Sequence, residues 1–206
     1  MLYNANAIKT GLQIAKTVSS YGLLGKALLT TLFNAYTIIN QELTMASADV
    51  ILHKGTETTR VSVDKPTLSS DYERIDVKRG QWIVYDHSNY TADTVVMSQV
   101  YTGPTGLVDL PFTPRSIRQV PTYHSEGVTL YEHGQFGGRA IGIANSTPDL
   151  QLGNGISSVI VNGSRWRFYE NKDFQDPGRN LAPGQYATPA AMGFPNDRLK
   201  SIEKLD

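Results

Sequence analysis

From Asp49 onward the chain consists of short runs of β-branched and aromatic residues separated by Gly, Pro, Asp and Ser. Runs of this length, bounded by turn-forming residues, predict strands. Strands so closely spaced favour a β-sandwich over a parallel α/β sheet. The predicted strands are Val50–Leu52, Arg60–Val63, Ile75–Val77, Trp82–Tyr85, Thr94–Met97 and Arg115–Val120, and then Val128–Tyr131, Arg139–Ile143, Val159–Val161, Trp166–Tyr169, Arg179–Leu181 and Leu199–Ile202.

Residues 1–45 follow a different pattern, with apolar residues at helical spacing and no proline. Between residues 23 and 43 a narrow polar stripe leaves apolar side chains over most of the helix circumference. That apolar arc is wider than a surface helix needs, so it predicts a face buried against another surface. We therefore expect a helical docking or assembly segment at 1–45. Its residues 23–43 would mediate self-association or contact a protein partner.

A membrane span or a cleaved signal is a weaker interpretation of this segment. The apolar stretch 23–39 is near the minimum length for spanning a bilayer and contains Lys26, Asn34 and three Thr. Ala46-Ser47-Ala48 has the small-residue pattern of a cleavage site, but the segment before it is too long for a signal peptide. There is thus no clear signal peptide or transmembrane helix, and the localisation stays unknown.

One segment of the chain occurs twice, 84 residues apart: Val77–Asp86 is echoed by Val161–Glu170, with a Trp and a Tyr at matching positions. An internal repeat of this kind predicts two copies of one β-rich unit. We place the copies at 48–120 and 127–206, joined by a linker at residues 119–126 that contains Pro121. Trp82 and Trp166 are expected in the cores of the two copies.

Both copies share further positions outside that segment. An aromatic residue lies five positions after the repeated Tyr (Tyr90, Phe174), and a Ser-Ile pair follows later (Ser116-Ile117, Ser201-Ile202). Within the second copy, Tyr131–Gly138 matches Tyr169–Asp176 in its aromatic spacing. Each of these two segments is followed by a loop that ends in Ser, at residues 153–158 and 196–201.

This arrangement resembles the βγ-crystallin superfamily, whose Greek-key motifs carry an aromatic-x4-aromatic-x-Gly hairpin and an Asn/Asp-Asn/Asp-x-x-Ser/Thr-Ser loop. The resemblance implies a mostly β fold of two βγ-crystallin-like Greek-key β-sandwich domains, preceded by the α-helical N-terminal segment. It covers residues 127–206 well and extends to the first copy mainly through the Trp repeat. The domain at 48–120 is degenerate, because Glu57 replaces the second aromatic of its first motif, and Thr59 and Ala92 replace the hairpin glycines.

The resemblance also implies a Ca²⁺ site shared between the paired loops of the second domain, since hard oxygen ligands of this kind suit Ca²⁺. Lys200 departs from the pattern by placing an ammonium where a ligating hydroxyl is expected, and Gly153 lacks a ligating side chain. We therefore expect one weak site, and none in the first domain. The candidate ligands are Glu132, Asn154, Gly155 (through its carbonyl) and Ser157 from one motif, and Glu170, Asn196, Asp197 and Arg198 (through its carbonyl) from the other.

Composition argues against several other functions. Nineteen Lys and Arg balance nineteen Asp and Glu, so the chain lacks the basic excess typical of nucleic-acid binding. The absence of Cys excludes disulfides, thiolate metal sites and a Cys nucleophile. The four His are scattered, and Glu132 and Glu170 occupy equivalent hairpin positions, which argues against acid-base catalysis.

The sequence thus predicts a non-enzymatic structural or assembly protein of βγ-crystallin type, with weak calcium binding in the second domain. Two alternatives stay open. One is a binding module whose stability depends on calcium. The other is a membrane-active or toxin-like protein whose N-terminal helix, with three Lys and one Glu in residues 1–45, lies on a membrane surface.

Overall fold

The computed structural model describes residues 49–91, 97–123, 126–151 and 155–205. The helical segment predicted at 1–45, including its apolar face at 23–43, lies outside the described residues. Ala48–Asp206 forms one compact unit. That unit is mostly β, as predicted.

The strands are short, and each is bounded by turns or loops. Those of the first half are β1 (Val50–Lys54), β2 (Glu57–Val61), β3 (Arg74–Val77), β4 (Gln81–Tyr85), β5 (Ser98–Thr102), β6 (Leu107–Asp109) and β7 (Ser116–Gln119), with a 3₁₀ turn at Ser88–Tyr90. Those of the second half are β8 (Val128–Tyr131), β9 (Ala140–Ile143), β10 (Ser158–Val161), β11 (Trp166–Tyr169), β12 (Gly178–Leu181), β13 (Gly184–Tyr186) and β14 (Ser201–Lys204), with one helical turn, α1 (Pro189–Met192).

The strands form four antiparallel sheets in which neighbouring motifs exchange a strand. Sheet I has the order β2-β1-β3-β6, sheet II β5-β4-β7, sheet III β13-β10-β8-β9 and sheet IV β12-β11-β14. Strand β6 leaves the motif that contains β4 and β5 and pairs with β3, and β13 likewise pairs with β10. This exchange is a Greek-key arrangement. The domain limits proposed at 48–120 and 127–206 stay predictions, although sheets I and II use only residues before 120 and sheets III and IV only residues after 127.

Each pair of sheets encloses a hydrophobic core built by strand alternation, because every second side chain points to the same face. Trp82 lies between sheets I and II and Trp166 between sheets III and IV, each with no exposed surface. The prediction that both Trp are core residues is confirmed.

Some strands differ from those predicted. Residues 92–96 of the predicted strand Thr94–Met97 lie outside the described residues, and β5 begins only at Ser98. Strands β6 and β13 were not predicted. Each has only three residues, and β13 contains Gly184 and Gln185, so neither shows the run of β-branched residues on which such predictions depend.

The aromatic spacing in the repeat is explained by three similar hairpins. The two aromatic rings pack together in each, with ring centroids 5.9 Å apart for Tyr85 and Tyr90 and 5.5 Å apart for Tyr131 and Phe136. In the third, Tyr169 and Phe174 lie 5.9 Å apart. The second aromatic residue of each pair has a positive φ, so the chain doubles back sharply at that point.

A buried serine holds each of these hairpins closed. Ser158 Oγ donates to the His133 carbonyl at 2.6 Å and accepts from the Phe136 N–H at 3.0 Å. Ser116 and Ser201 make the same two contacts in their own motifs. The repeated Ser of the sequence therefore satisfies backbone groups that the sharp turn would otherwise leave without partners.

Sheet II also packs against sheet III, and this contact joins the two halves. The shared cluster contains Ile83, Tyr85, Val100 and Val120 from the first half and Tyr131, Phe136 and Ile160 from the second. The Tyr85 hydroxyl donates to the Phe136 carbonyl at 2.7 Å. This contact between the halves was not predicted from the sequence.

Arg118, which is 4% exposed, lies at the centre of the contact. Its guanidinium donates to the carbonyl oxygens of Gly138 and Phe136. Its Cζ also lies 4.8–5.4 Å from the ring centroids of Tyr85, Tyr90 and Tyr131. A buried cation is thus compensated by carbonyl dipoles and aromatic faces.

No helix in the described part of the chain is both long enough and apolar enough to cross a membrane.

Candidate functional site: an oxygen-lined loop pair

The candidate calcium ligands come from three places in the second half. Glu132 directly follows β8, Ser157 directly precedes β10, and Asn196–Arg198 lie in the loop between α1 and β14. Both strands belong to sheet III, where Ser158 pairs with Tyr131, so the ends of β8 and β10 lie side by side. The fold therefore brings the two loops together at one end of the sandwich.

Two oxygen atoms of the predicted set, from Glu132 and Asn196, converge on Ser157. Its Oγ donates to the Glu132 carbonyl at 3.0 Å and contacts Asn196 Oδ1 at 2.8 Å. The Asn196 amide nitrogen in turn donates to Asp197 Oδ2 at 2.7 Å. A carbonyl, a hydroxyl, an amide oxygen and a carboxylate are thus linked in one short chain of contacts, and all four are ligand types that Ca²⁺ accepts.

Gly155 allows the second loop to approach the first. Its φ is +74°, and a Cβ placed on it would lie 2.3 Å from Asp197 Oδ1. A side chain at this position would therefore displace the carboxylate, so the absence of a Cβ is required both by the backbone angle and by the close approach. The structure brings Gly155, Ser157, Asn196 and Asp197 together at this end of the sandwich.

The side chain of Glu132 faces away from this group. It forms an ion pair with Arg139 at 3.4 Å, and it accepts a hydrogen bond from the Arg139 N–H at 3.0 Å. Glu132 can therefore contribute its backbone carbonyl, while its carboxylate is occupied by another partner.

The second predicted group of ligands is less suited to a cation. Glu170 Oε2 lies 3.6 Å from Arg198 Nε, so a guanidinium already neutralises that carboxylate. Lys200 adds a further positive charge to the same loop. Asn154, which was predicted as a ligand of the first group, lies outside the described residues.

Among the described residues, no three His, Asp or Glu side chains lie close enough together to hold a metal ion. The candidate site accordingly depends on neutral oxygens with the carboxylate of Asp197. The residues present fit one Ca²⁺ at the Ser157 side of the loop pair and do not fit a second ion at the Glu170 side.

The corresponding loops of the first half are joined differently. Arg115 Nη1 lies 3.0 Å from Asp71 Oδ1, so an ion pair connects the loop before β7 with the loop before β3. The Asp71 carboxylate, which could otherwise bind a cation, is therefore already paired with the Arg115 guanidinium.

Sequence reasoning missed Arg118, the residue with the most unusual surroundings in this fold. The only signal was its position in a strand between Ile117 and Gln119, where alternation predicts a side chain on the outer face of the sandwich. Nothing in the sequence indicates that another sheet covers that face.

The exchanged strands, the paired cores and the oxygen-lined loops define a Greek-key β-sandwich protein with two motifs in each half. Comparison with known proteins identifies the family. The Beta/Gamma crystallin family model matches residues 127–205. A beta/gamma-crystallin from Ciona intestinalis is 30% identical over 80 residues, which cover 37% of this chain and 95% of that protein.

Two further relatives extend the match into the first half. Gamma-crystallin-1 from Xenopus laevis is 25% identical over 150 residues, covering 69% of this chain and 86% of that protein. The solved structure of geodin, a beta-gamma crystallin from Geodia cydonium, has 34% identity and a TM-score of 0.69, and it covers 76% of this chain and 98% of geodin. The chain belongs to the βγ-crystallin family.

Proposed function

We propose that this βγ-crystallin is a non-enzymatic structural protein whose second domain binds a single Ca²⁺ weakly. The observation that carries the calcium proposal is the convergence of the Glu132 carbonyl and the Asn196 amide oxygen on Ser157 Oγ. The carboxylate of Asp197 adjoins them. Membership of the crystallin family supports the structural role.

The pairing of the two hairpin glutamates also supports a non-catalytic role. Glu132 contacts Arg139 and Glu170 contacts Arg198, so each carboxylate has its own guanidinium partner. A general acid or base must lie within hydrogen-bond reach of the proton that it transfers, whereas both of these carboxylates are held by a guanidinium of the protein.

Weak affinity follows from the charge of the site. Calcium affinity rises with the number of ionised ligands, and this site offers the carboxylate of Asp197 among neutral oxygens. We expect a Kd of about 10⁻⁴–10⁻³ M, the range of weak protein sites of low charge.

Thermal unfolding of the full chain with calcium and with chelator tests the proposal. At about ten times the Kd, binding to the folded state alone raises the free energy of unfolding by about 1.4 kcal/mol. For a chain of this size the melting temperature should rise by about 3–6 °C. Magnesium at the same concentration should have a smaller effect, because it requires a tighter octahedral set of ligands.

Two variants locate the site. Asp197→Ala should abolish the calcium-dependent shift. Glu126→Gln, which removes an exposed carboxylate elsewhere in the second half, should retain it. Superimposable melts of the parent chain with calcium and with chelator would refute calcium binding, and a shift that persists in Asp197→Ala would place the ion elsewhere.

A further part of the proposal concerns residues 23–43, which we infer to mediate self-association or to bind a protein partner. The wide apolar face of the sequence pattern supports it. The mass of the full chain in solution, compared with that of a variant lacking residues 1–45, tests it. Loss of an oligomer on deletion is expected, whereas a monomer before and after deletion would contradict self-association.

A further inference from the structure

The contact between the halves joins two different surfaces of the repeated unit. By the repeat, sheet I corresponds to sheet III and sheet II corresponds to sheet IV, and the contact places sheet II of the first copy on sheet III of the second. Such an interface is heterologous, because the second sheet of one copy meets the first sheet of the next. A heterologous contact can be repeated without limit unless its end surfaces differ. Here the outer faces of sheets I and IV are those ends.

The buried contact is apolar around its one guanidinium. On sheet II, Ile83 pairs with Val100 on one side and Arg118 on the other. On sheet III, Ile160 and Tyr131 belong to the same buried cluster. Ile83 and Tyr131 have no exposed surface, and Ile160 is 1% exposed.

The matching face of sheet IV is polar. Arg167 stands at the position of Ile83 in the repeat, and it pairs with Asn180 and with Glu203. The strand register therefore replaces Val100 by Asn180 and Arg118 by Glu203. The face of sheet IV therefore has no counterpart of the aliphatic side chains of Ile83 and Val100, and it carries an acid where sheet II carries Arg118.

The matching face of sheet I is changed in the same sense. Asp76 stands at the position of Ile160 in the repeat. The pairing of His53 with Arg74 in sheet I corresponds to that of Tyr131 with Ser158 in sheet III, so His53 replaces Tyr131. Ile160 and Tyr131, the strand residues of sheet III in the contact, thus correspond to an acid and a histidine in sheet I.

Arg167, Glu203 and Asp76 each have a partner within their own half, whereas His53 Nε2 is buried without a hydrogen-bond partner among the described residues. Arg167 contacts Asp176 at 2.6 Å, and the Tyr169 hydroxyl donates to Glu203 at 2.5 Å. Asp76 contacts Lys78 at 2.5 Å. Docking another sheet on either face would remove water from the partly exposed side chains of Arg167 and Lys78 without supplying a better partner, a cost that the contact does not offset.

We propose that these substitutions are end caps that limit a head-to-tail series to two units, and that the end faces accept a second copy of this chain once the caps are removed. Charged residues that prevent edge or face association are a general device of β proteins, and polar terminal units serve the same purpose in repeat proteins. End caps of this kind would act whether or not the second half binds calcium.

The test uses two variants of the full chain. One carries Arg167→Ile, Asn180→Val and Glu203→Arg on sheet IV, and the other carries Asp76→Ile and His53→Tyr on sheet I. Because the contact is heterologous, each variant alone should keep the mass of the parent chain in sedimentation or light scattering. An equimolar mixture should give a 1:1 complex of about twice that mass. A chain that carries all five substitutions should form head-to-tail oligomers whose mean mass rises with protein concentration.

A reciprocal variant tests the proposal without requiring a new contact to form. Ile83→Arg, Val100→Asn and Arg118→Glu give sheet II the composition of sheet IV. The halves should then separate while both stay folded, so thermal unfolding should split into two transitions. Near-ultraviolet circular dichroism, which reports the packing of Trp82 and Trp166, establishes that each variant is folded.

Three results would overturn the end-cap proposal. The first is the absence of a complex when folded sheet I and sheet IV variants are mixed. The second is association of either variant with itself to the same extent as in the mixture, since that would show an isologous contact. The third is an unsplit transition in the folded reciprocal variant.

Discussion

Arg118 Nε donates a hydrogen bond to the hydroxyl oxygen of Tyr85 at 2.9 Å, and both groups are buried between sheets II and III. The equivalent tyrosine of the second copy, Tyr169, donates instead to Glu203 at 2.5 Å. One position of the repeat therefore carries a cation in the buried copy and an anion in the other. The tyrosine accommodates both because a phenol can accept or donate a hydrogen bond.

Replacement of this cation should weaken the contact between the halves. Arg118→Met removes the guanidinium donors to the Gly138 and Phe136 carbonyls, although the Phe136 carbonyl keeps the Tyr85 hydroxyl as a donor, and we expect a loss of about 2–4 kcal/mol in the free energy of unfolding. Arg118→Lys keeps the charge but not the planar set of donors, so its loss should be smaller. Urea unfolding measures both. Equal stability of Arg118→Met and the parent chain would show that apolar packing alone holds the halves together.

Alkaline pH should destabilise the protein through four tyrosines. Burial raises the pKa of Tyr90 to about 12, and burial together with the nearby Glu203 raises the pKa of Tyr169 to about 12. Burial also raises the pKa of Tyr85 and of Tyr131. Because an unfolded tyrosine ionises near about pH 10, the unfolded state loses protons first. The stabilisation is therefore complete below about pH 10 and is lost as the pH rises from there through the folded pKa values.

Phenolate absorbance measured against pH checks this expectation. In the folded protein part of the tyrosine signal should appear only above about pH 11, while in denaturant all tyrosines should titrate near about pH 10. Tyr169→Phe should reduce the delayed part of the signal. Titration of every tyrosine near pH 10 in a protein that still shows native circular dichroism would contradict the prediction.

Gly155→Ala should destabilise the second half and remove calcium binding together. The new Cβ meets Asp197 Oδ1 at 2.3 Å, and φ is +74°, so the loop must move. We expect a loss of about 1–3 kcal/mol from backbone strain and displacement of the carboxylate. Gly106→Ala is the matched control, since its φ is +66° and no atom lies within 4 Å of the added Cβ. The control should show strain alone and keep the calcium response.

Removing the hairpin serines should cost stability in each motif separately. Ser158→Ala leaves the His133 carbonyl and the Phe136 N–H without their buried partner, with an expected loss of about 1–3 kcal/mol. Ser201→Ala should behave alike. Ser164→Ala removes a hydroxyl that contacts the exposed Glu126, so it should change the free energy of unfolding by less than about 0.5 kcal/mol. Chemical denaturation of all three variants compares them, and an equal effect at Ser158 and Ser164 would contradict the role assigned to the hairpin serines.

The sequence predicted those features that depend on local patterns. The repeated Trp, the paired aromatics and the terminal Ser of each motif are short-range signals, and they led to the correct fold class and family. The candidate ligands Gly155, Ser157, Asn196 and Asp197 were also chosen in this way, because they occupy recognisable positions in two similar motifs, and their role as ligands stays a prediction.

Features that depend on contacts between distant sheets were not predictable in this way. Strands β6 and β13 exist because a neighbouring sheet offers them an edge, and three residues carry too little pattern to show it. Arg118 has a buried position only because sheet III covers it. Likewise, the Glu132 carboxylate pairs with Arg139, whereas the Glu132 carbonyl contacts Ser157. The residue type alone does not show which of these two oxygen groups of a glutamate faces a site.

The exchange of β6 and β13 also constrains how this chain can have diverged. Sheets I and III are each completed by a strand from the neighbouring motif, so a substitution in one motif must also fit the packing of the other. The interior of a motif pair must therefore change in concert, while the loops and outer faces remain free to vary. A duplicated unit of this kind can carry an oxygen-lined loop pair in one copy and a buried arginine in the other without any change in its topology.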